Sequence, residues 1–245
     1  QSMKKRNLIV KRKVKKNKLL IDNSKVREFY SKFKAVICKN IKNKDFALAV
    51  SGGPDSLCLA YFGKIYQSEF KNKVHYLIVN HNLRKESSAE ALKVKKILKK
   101  KHINSKIIEW KGNVPKSNIQ KNARDMRYSL LSDFCIKNNI KYLITAHHLD
   151  DQIENFFIRL LRGSGLTGLS SMSDTYNYSN SLQIIRPFLN FPKNELIYTT
   201  KKFFKKYIND PSNKNEKFLR VRVRKYREDL DREGLDTKKI IKTIN

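Results

Sequence analysis

Six consecutive residues, Ser51-Gly52-Gly53-Pro54-Asp55-Ser56, have the types and spacing to hold an anion beside a metal ion. The two glycines can turn tightly and leave backbone N–H groups free, and Ser51 and Ser56 add hydroxyl donors. Pro54 suits the first turn of a helix, where its missing N–H has no consequence. A glycine turn opening onto a helix N-terminus is a cradle for phosphate. Asp55 would repel the anion unless it holds Mg²⁺ against the phosphate oxygens, which makes it the candidate metal ligand. The stretch has neither the G-x-x-x-x-G-K-S/T spacing of a Walker loop nor the G-x-G-x-x-G of a dinucleotide turn.

A second cluster is His147-His148-Leu149-Asp150-Asp151 with Glu154. Asp151 and Glu154 are three apart and share one face of the helix they begin. Two readings fit. The acids can complement the positive end of the helix dipole, or they can form a pocket for a cationic amine. Adjacent histidines rarely chelate one ion, and the H-x-x-x-H spacing of a zinc site is absent. Arg124 and Arg127, also three apart, are either a solvated basic face or a clamp on phosphate and developing negative charge. His81, in His81-Asn82-Leu83-Arg84, fits a packing residue or the lining of a site.

These residues need a frame that brings them to one edge. Short apolar runs at 46–50, 74–79, 106–110, 142–146 and 182–185 read as strands. Helical patterns at 54–67, 87–101, 117–138 and 149–162 alternate with them, and Ser87 to Glu90 reads as a capping box. The alternation implies an α/β fold with a doubly wound, parallel, five-stranded Rossmann-like sheet covered on both faces. Ligands in such sheets bind beyond the carboxyl ends of the strands. Those ends are 51–56, 80–84, 112–115 and 147–151. Gly163 to Gly168 reads as a mobile loop near that edge, and a further helix is expected at 192–207. Asp210 to Asn213 is a turn signal, after which residues 218–232 form a basic helix. The organisation expected is a basic extension at 1–22, an α/β domain at 23–208 and a basic, mainly helical appendage at 209–245.

The charge balance names a partner class. The 245 residues carry 54 Lys+Arg against 22 Asp+Glu, a formal net charge of +32. Such a surface calls for an anionic partner, with nucleic acid the natural one and a membrane surface the alternative. The abundance of lysine, asparagine and isoleucine throughout also fits codon bias. No stretch approaches the roughly 18 consecutive apolar residues of a membrane span. Cys38, Cys58 and Cys135 are far apart with no C-x-x-C, and read as small core residues of a reducing compartment.

A serine-glycine-glycine turn with Asp55 and Ser56 after a strand resembles the PP-loop of the N-type ATP pyrophosphatases. The longer series S-G-G-P-D-S, H-N-L-R, A-R-D-M-R-Y, H-H-L-D-D-Q-I-E and L-R-G-S-G-L-T-G-L appears in order. Ile185-Arg186-Pro187-Phe188, Asp210 to Asn213 and Arg220 to Arg224 follow. Over about residues 45 to 225 this resembles the tRNA(Ile)-lysidine synthetases, with an adenine nucleotide alpha hydrolase-like fold. Asn80, Asn155 and Val221 depart from the family, where Asp, Thr and Asn are usual.

The resemblance implies a cytoplasmic ligase that uses ATP and Mg²⁺ to join L-lysine to C2 of the first anticodon cytidine of tRNA(Ile)-CAU, releasing AMP and pyrophosphate. ATP would lie on Ser51, Gly52, Gly53, Pro54, Asp55, Ser56, His81, His147 and Gly163. Lysine would lie on Asp151 and Glu154. The catalytic set would be Asp55, Arg124, Arg127 and His147. A homodimer is left open, and a membrane partner is not expected. Two competitors stand beside this reading. One is another PP-loop enzyme, such as a tRNA thiolase or an amidating ligase. The other is a non-catalytic RNA-binding protein on the same fold.

Overall fold

In β1 (Phe46–Ala49) alternate residues serve two different cores. Phe46 and Leu48 join one apolar cluster, while Ala47 and Ala49 join the other. A strand buried on both faces must lie inside a sheet, and β1 pairs in parallel with β2 (Val74–Asn80) and β4 (Tyr142–Ile144). The structure is a computed structural model that describes residues 23–70, 72–112, 119–210, 215–235 and 237–244. The basic extension at 1–22, most of the 112–115 strand end, the first residues of the helix expected from 117 and most of the 210–213 turn lie outside the described residues.

The sheet has six strands in the order β3-β2-β1-β4-β6-β5. Five of them, including β3 (Ser105–Glu109) and β6 (Leu182–Ile185), are those expected from the apolar runs, and all five are parallel. The sixth is an addition. β5 (Thr175–Ser179) pairs antiparallel with β6 and forms the sheet edge. Its residues are mostly exposed, so it lacks the apolar run by which the buried strands are recognised.

On one face lie α1 (Ser24–Ile41), α2 (Pro54–Glu69), α3 (Ser87–Lys99) and α7 (Lys193–Phe204). On the other, α4 (Ile119–Lys137) packs Leu131 and Cys135 against Leu77, Leu143 and Ile184. α1 was not expected, although Val26, Phe29, Tyr30, Phe33, Ile37 and Ile41 follow the helical period. Its N-cap is Asn23, whose Oδ1 accepts from Val26 N at 3.1 Å. Phe29 packs edge-on to Phe62 and Phe191 and stacks on Phe188, locking α1 to α2 and to the segment after β6.

Two local expectations change. α3 begins at Ser87 with Glu86 as its N-cap, so Ser87 is inside the helix and the capping box does not form. Glu90 instead pairs with Arg84 at 3.1 Å. Cys58 and Cys135 are buried as expected, but Cys38 is exposed because it falls beside the buried stripe of α1.

Beyond the sheet edge run α5 (Leu149–Leu161), the short α6 (Leu166–Leu169), α8 (Leu219–Arg232) and α9 (Thr237–Ile244). α9 places Ile240 in a small cluster with Ile153, Phe156 and Phe157 of α5. No helix among the described residues is long and apolar enough to cross a membrane.

Candidate active site

The cradle forms where β1 stops. Gly52 has φ +91°, a conformation that disfavours a side chain, and a Cβ there would meet Val94 Cγ2 at 2.4 Å. Ser56 Oγ ties the turn together. It accepts from Ser51 N and Gly52 N at 3.1 and 3.0 Å and donates to Gly53 O at 3.1 Å. Gly53 is the N-cap of α2 and Pro54 its first residue. The amides of Gly53, Asp55 and Ser56 therefore have no intrahelical partner. α7 braces this end, since buried Thr200 donates to Pro54 O at 2.6 Å. The segment after α7 closes the outer side through Ile208 N, which donates to Gly52 O at 2.9 Å.

β1 and β4 are neighbours, so the turn after β4 meets the start of α2. His148, not His147, faces Asp55, with Nε2 3.5 Å from Asp55 Oδ2. The same nitrogen is 3.6 Å from Asp151 Oδ2, and Nδ1 is 3.7 Å from Asp150 Oδ2. Burial opposes a charge on His148, but the hydrogen bond to Asp55 and the fields of Asp151, Asp55 and Asp150 outweigh it and raise its pKa. Asp151 also accepts from His148 N at 3.1 Å, closing the first turn of α5.

His147 points elsewhere, its Nδ1 2.9 Å from Thr145 Oγ1. Burial, helped by the charges of Arg124, Arg186 and Arg220 against that of Asp151, lowers its pKa to about 4. His81 is held neutral in the same way, by burial and then Arg127, at about 4. Arg127 Nη2 lies 3.3 Å from His81 Nε2. Arg124 is directed to the Tyr128 ring, 5.1 Å from its centroid. The two arginines of α4 thus have different neighbours.

The acids of α5 have partners that sequence reasoning missed. Glu154 is buried, and Arg224 grips both of its oxygens, Nη2 lying 3.2 Å from Oε2. Arg220 Nε lies 3.2 Å from that same Oε2. Arg227 donates to Asp150 Oδ1 at 2.7 Å. Arg220, Arg224 and Arg227 repeat at i, i+4 and i+7, so one face of α8 lies along the acidic start of α5. That spacing was the available signal. Desolvation disfavours the charge on Arg224, but Glu154 more than restores it. Glu154 is therefore already neutralised, while Asp151 stands nearer the cradle.

The structure brings Ser51, Gly52, Gly53, Pro54, Asp55, Ser56, His147, His148 and Asp151 to one sheet edge, with His81 and Arg127 beside the end of β2. Gly163 is not brought there. It ends α5 with φ +70°, its N–H donating to Leu160 O at 3.0 Å, and lies about 20 Å along the helix from Leu149.

Asp55 Oδ1 is buried without a hydrogen-bond partner. An orphaned carboxylate oxygen in an anion cradle suits a Mg²⁺ ion shared with phosphate oxygens. Among the described residues no group of three or more His, Cys, Asp or Glu is arranged to hold a metal alone, so phosphate would complete the coordination.

A phosphate cradle at the carboxyl edge of a parallel sheet, with a metal-ready carboxylate and a histidine-acid turn opposite, defines a nucleotide-binding α/β domain. The family model for the PP-loop domain matches residues 22–227, and the chain belongs to that family. Among curated proteins, it is 43% identical over 183 residues to the tRNA(Ile)-lysidine synthase of Orientia tsutsugamushi, covering 75% of this chain and 41% of that protein. It is 42% identical over 207 residues to the protein of the same name from Wolbachia pipientis wMel, covering 82% and 47%. The chain thus spans less than half the length of these relatives. Among solved structures, the U34-tRNA thiolase NcsA of Methanococcus maripaludis, with its 4Fe–4S cluster, has the same fold. It aligns with a TM-score of 0.74 at 19% identity, over 89% of this chain and 77% of that one.

Proposed function

We propose that this chain carries the ATP-using, lysine-joining site of a tRNA(Ile)-lysidine synthetase. The observation that carries the reading is the meeting of the Ser51–Ser56 cradle with the His148–Asp151 turn, within the residues 22–227 matched by the PP-loop family, in a chain similar to the lysidine synthases. Cytidine has a poor leaving group at C2. Attack of its C2 oxygen on the α-phosphorus of ATP expels pyrophosphate and makes AMP the leaving group. The ε-amine of lysine then attacks C2, the C2–O bond breaks, AMP departs and the amine loses a proton.

Each residue has a part. The free amides at the start of α2 and the Ser51 hydroxyl bind the departing pyrophosphate. Asp55 would hold Mg²⁺, which neutralises phosphate charge when bound. His148 orients Asp55 from the other side. His147, kept neutral, can donate or accept one hydrogen bond without adding charge. Asp151 takes the α-ammonium of lysine, with Glu154 behind it, and Arg220 and Arg224 face the α-carboxylate. The reacting ε-amine must be neutral, so it is better left unpaired. Arg124 and Arg127 bear on nucleotide phosphate or the activated base.

The cysteines argue against sulfur transfer. Burial raises the Cys58 thiol well above its ordinary value and the Cys135 thiol to about 12. They lie in the two opposite cores, and Cys38 is on the outside of α1. The deciding measurement is pyrophosphate release with ATP, lysine and tRNA(Ile)-CAU, each omitted in turn. Multiple-turnover release that needs both lysine and tRNA is expected, with no more than a single turnover of adenylation when lysine alone is omitted. Sustained release that ignores either one would exclude this function.

A further inference from the structure

The sheet edge farthest from β1 carries two large exposed aromatics. Tyr176 and Tyr178 of β5 are 48% and 37% exposed. The pairing register shifts between Asn177 and Ser179, but Tyr176 pairs with Ile184, which packs under α4, and Tyr178 contacts α4 itself, so both lie toward that face. Neither stands alone. The Tyr178 ring stacks on Tyr128 of α4, with centroids 5.8 Å apart and planes 23° apart. Arg124, one helical turn earlier, lies over the other partner of that stack at 5.1 Å. Arg186, directly after β6, lies 5.7 Å from the Tyr176 centroid. Arg186 donates from Nη1 to Ser173 O at 2.9 Å, while its buried Nε has no hydrogen-bond partner.

Two features give this surface a direction and a ligand. Thr145 N donates to Ile185 O at 3.0 Å, which sets Arg186 beside the turn that carries His147, and the charges of Arg124 and Arg186 bear on that histidine, so the surface runs from the candidate site outward to the hairpin. At its far end the Tyr178 hydroxyl is under the field of Asp125 and Asp133. Carboxylates there disfavour phosphate, while flat rings and guanidinium planes favour nucleobases, and base amino groups can donate to the acids. A duplex would present phosphates. An unpaired loop presents bases.

We propose that Tyr176, Tyr178 and Tyr128, with Arg124 and Arg186, form a stacking platform for the unpaired RNA bases that flank the reacting nucleotide. This rests on the RNA-modifying reading of the site and assigns the surface that holds the loop open beside it. Stacking is tolerant of sequence, so the platform would position the loop and leave base choice to the catalytic edge.

The test uses an anticodon stem-loop RNA with 2-aminopurine next to the cytidine, titrated with the full chain without ATP or lysine. Fluorescence quenching and affinity are read for Tyr176→Leu, Tyr178→Leu and the two Tyr→Phe variants. Leucine keeps bulk without a π-face, which guards against misfolding of the hairpin. We expect each Leu variant to bind roughly 10-fold more weakly, to lose quenching, and to show the same loss at 50 and 200 mM salt, because stacking releases no counterions. The Phe variants should match the parent. Leu variants that bind and quench like the parent would overturn the platform, as would a loss that vanishes at high salt. Pyrophosphate release is measured in parallel. RNA quenching that needs the tyrosines, without lysine-dependent release, would leave the platform standing and remove only the reaction assigned to the site.

Discussion

His148 Nε2 lies 3.5 Å from Asp55 Oδ2, and this contact joins the two halves of the site. Asp55 belongs to the first turn of α2, and His148 is the N-cap of α5. The pairing of β1 with β4 sets the two turns side by side, α7 ties to both through Thr200 on Pro54 O and Lys193 N on Asp150, and the His148–Asp55 pair is the direct contact between them. The imidazole also lies within 3.7 Å of Asp150 and Asp151, so three carboxylates converge on one buried ring.

His148→Gln is expected to lower stability by about 1–3 kcal/mol at pH 6, because it leaves buried acceptors short of a partner. The pKa of His148 is raised on folding. Its charge therefore contributes fully below its ordinary value of about 6.5, and that contribution fades as pH rises through the folded value. Urea unfolding from pH 6 to 9 checks this. The parent should lose stability across the window more steeply than the variant, and parallel curves would contradict a charged His148.

Asp55→Asn should abolish pyrophosphate release at saturating Mg²⁺ while leaving tRNA affinity unchanged. The substitution keeps shape but removes the charge that makes a cation tolerable in the cradle. Near-parental turnover would mean that the orphaned oxygen has no metal role.

Asp151→Asn and Glu154→Gln should differ. Asp151 is beside the cradle, so its variant should raise the lysine KM at least tenfold, and because an amide oxygen can still accept from His148 N it should cost less in unfolding than the Glu154 variant. Glu154 holds two arginines of α8, so its variant should also weaken the fold by about 1–3 kcal/mol. Those arginines are 39% and 30% exposed, and solvent screening limits the loss. Lysine titration and urea unfolding of both variants separate binding from anchoring. Identical profiles would erase the distinction.

His147 and His81 carry the opposite pH signature to His148. Both are held to about 4. In the unfolded chain each takes a proton below about 6.5, but in the folded chain each resists it. Stability should therefore fall as pH drops from about 6.5 toward 4, and His147→Gln should flatten part of that fall. Imidazole NMR signals for both residues should still report the neutral form at pH 5.5, and protonated signals there would contradict the assignment.

The excess of basic residues predicts steep salt dependence in tRNA binding. A protein making about 6–10 phosphate contacts loses on the order of 10³–10⁵ in affinity between 50 and 200 mM salt. Affinity for tRNA(Ile)-CAU and for a CAU-bearing tRNA(Met) should be similar, with only the first modified quickly. A flat salt response, or equal modification of both, would remove the phosphate-led picture.

What was legible in the amino-acid order was local. The Phe46–Val50 run, the glycine turn and Pro54 specify strand, cradle and helix start within a dozen residues, because period, turn chemistry and capping act over such distances. The five buried strands and the acidic opening of α5 follow from the same short-range signals. Folding decided the partners. Nothing local says that His148 rather than His147 meets Asp55. That depends on β4 lying beside β1, which turns one histidine inward and leaves the other on Thr145. Nothing local sends Arg224 to Glu154, 70 positions away. The spacing of Arg220, Arg224 and Arg227 marks a face, but a charged helical face is equally at home in water, and only its packing along α5 turns it into an anchor. β5 is hard to see in the chain because Tyr176 and Tyr178 alternate with polar residues over only five positions, which gives no continuous apolar run like those of the buried strands. Contacts between distant segments come from the packing of whole elements, and that is why the chemistry-bearing turns could be read from the chain while their pairings could not.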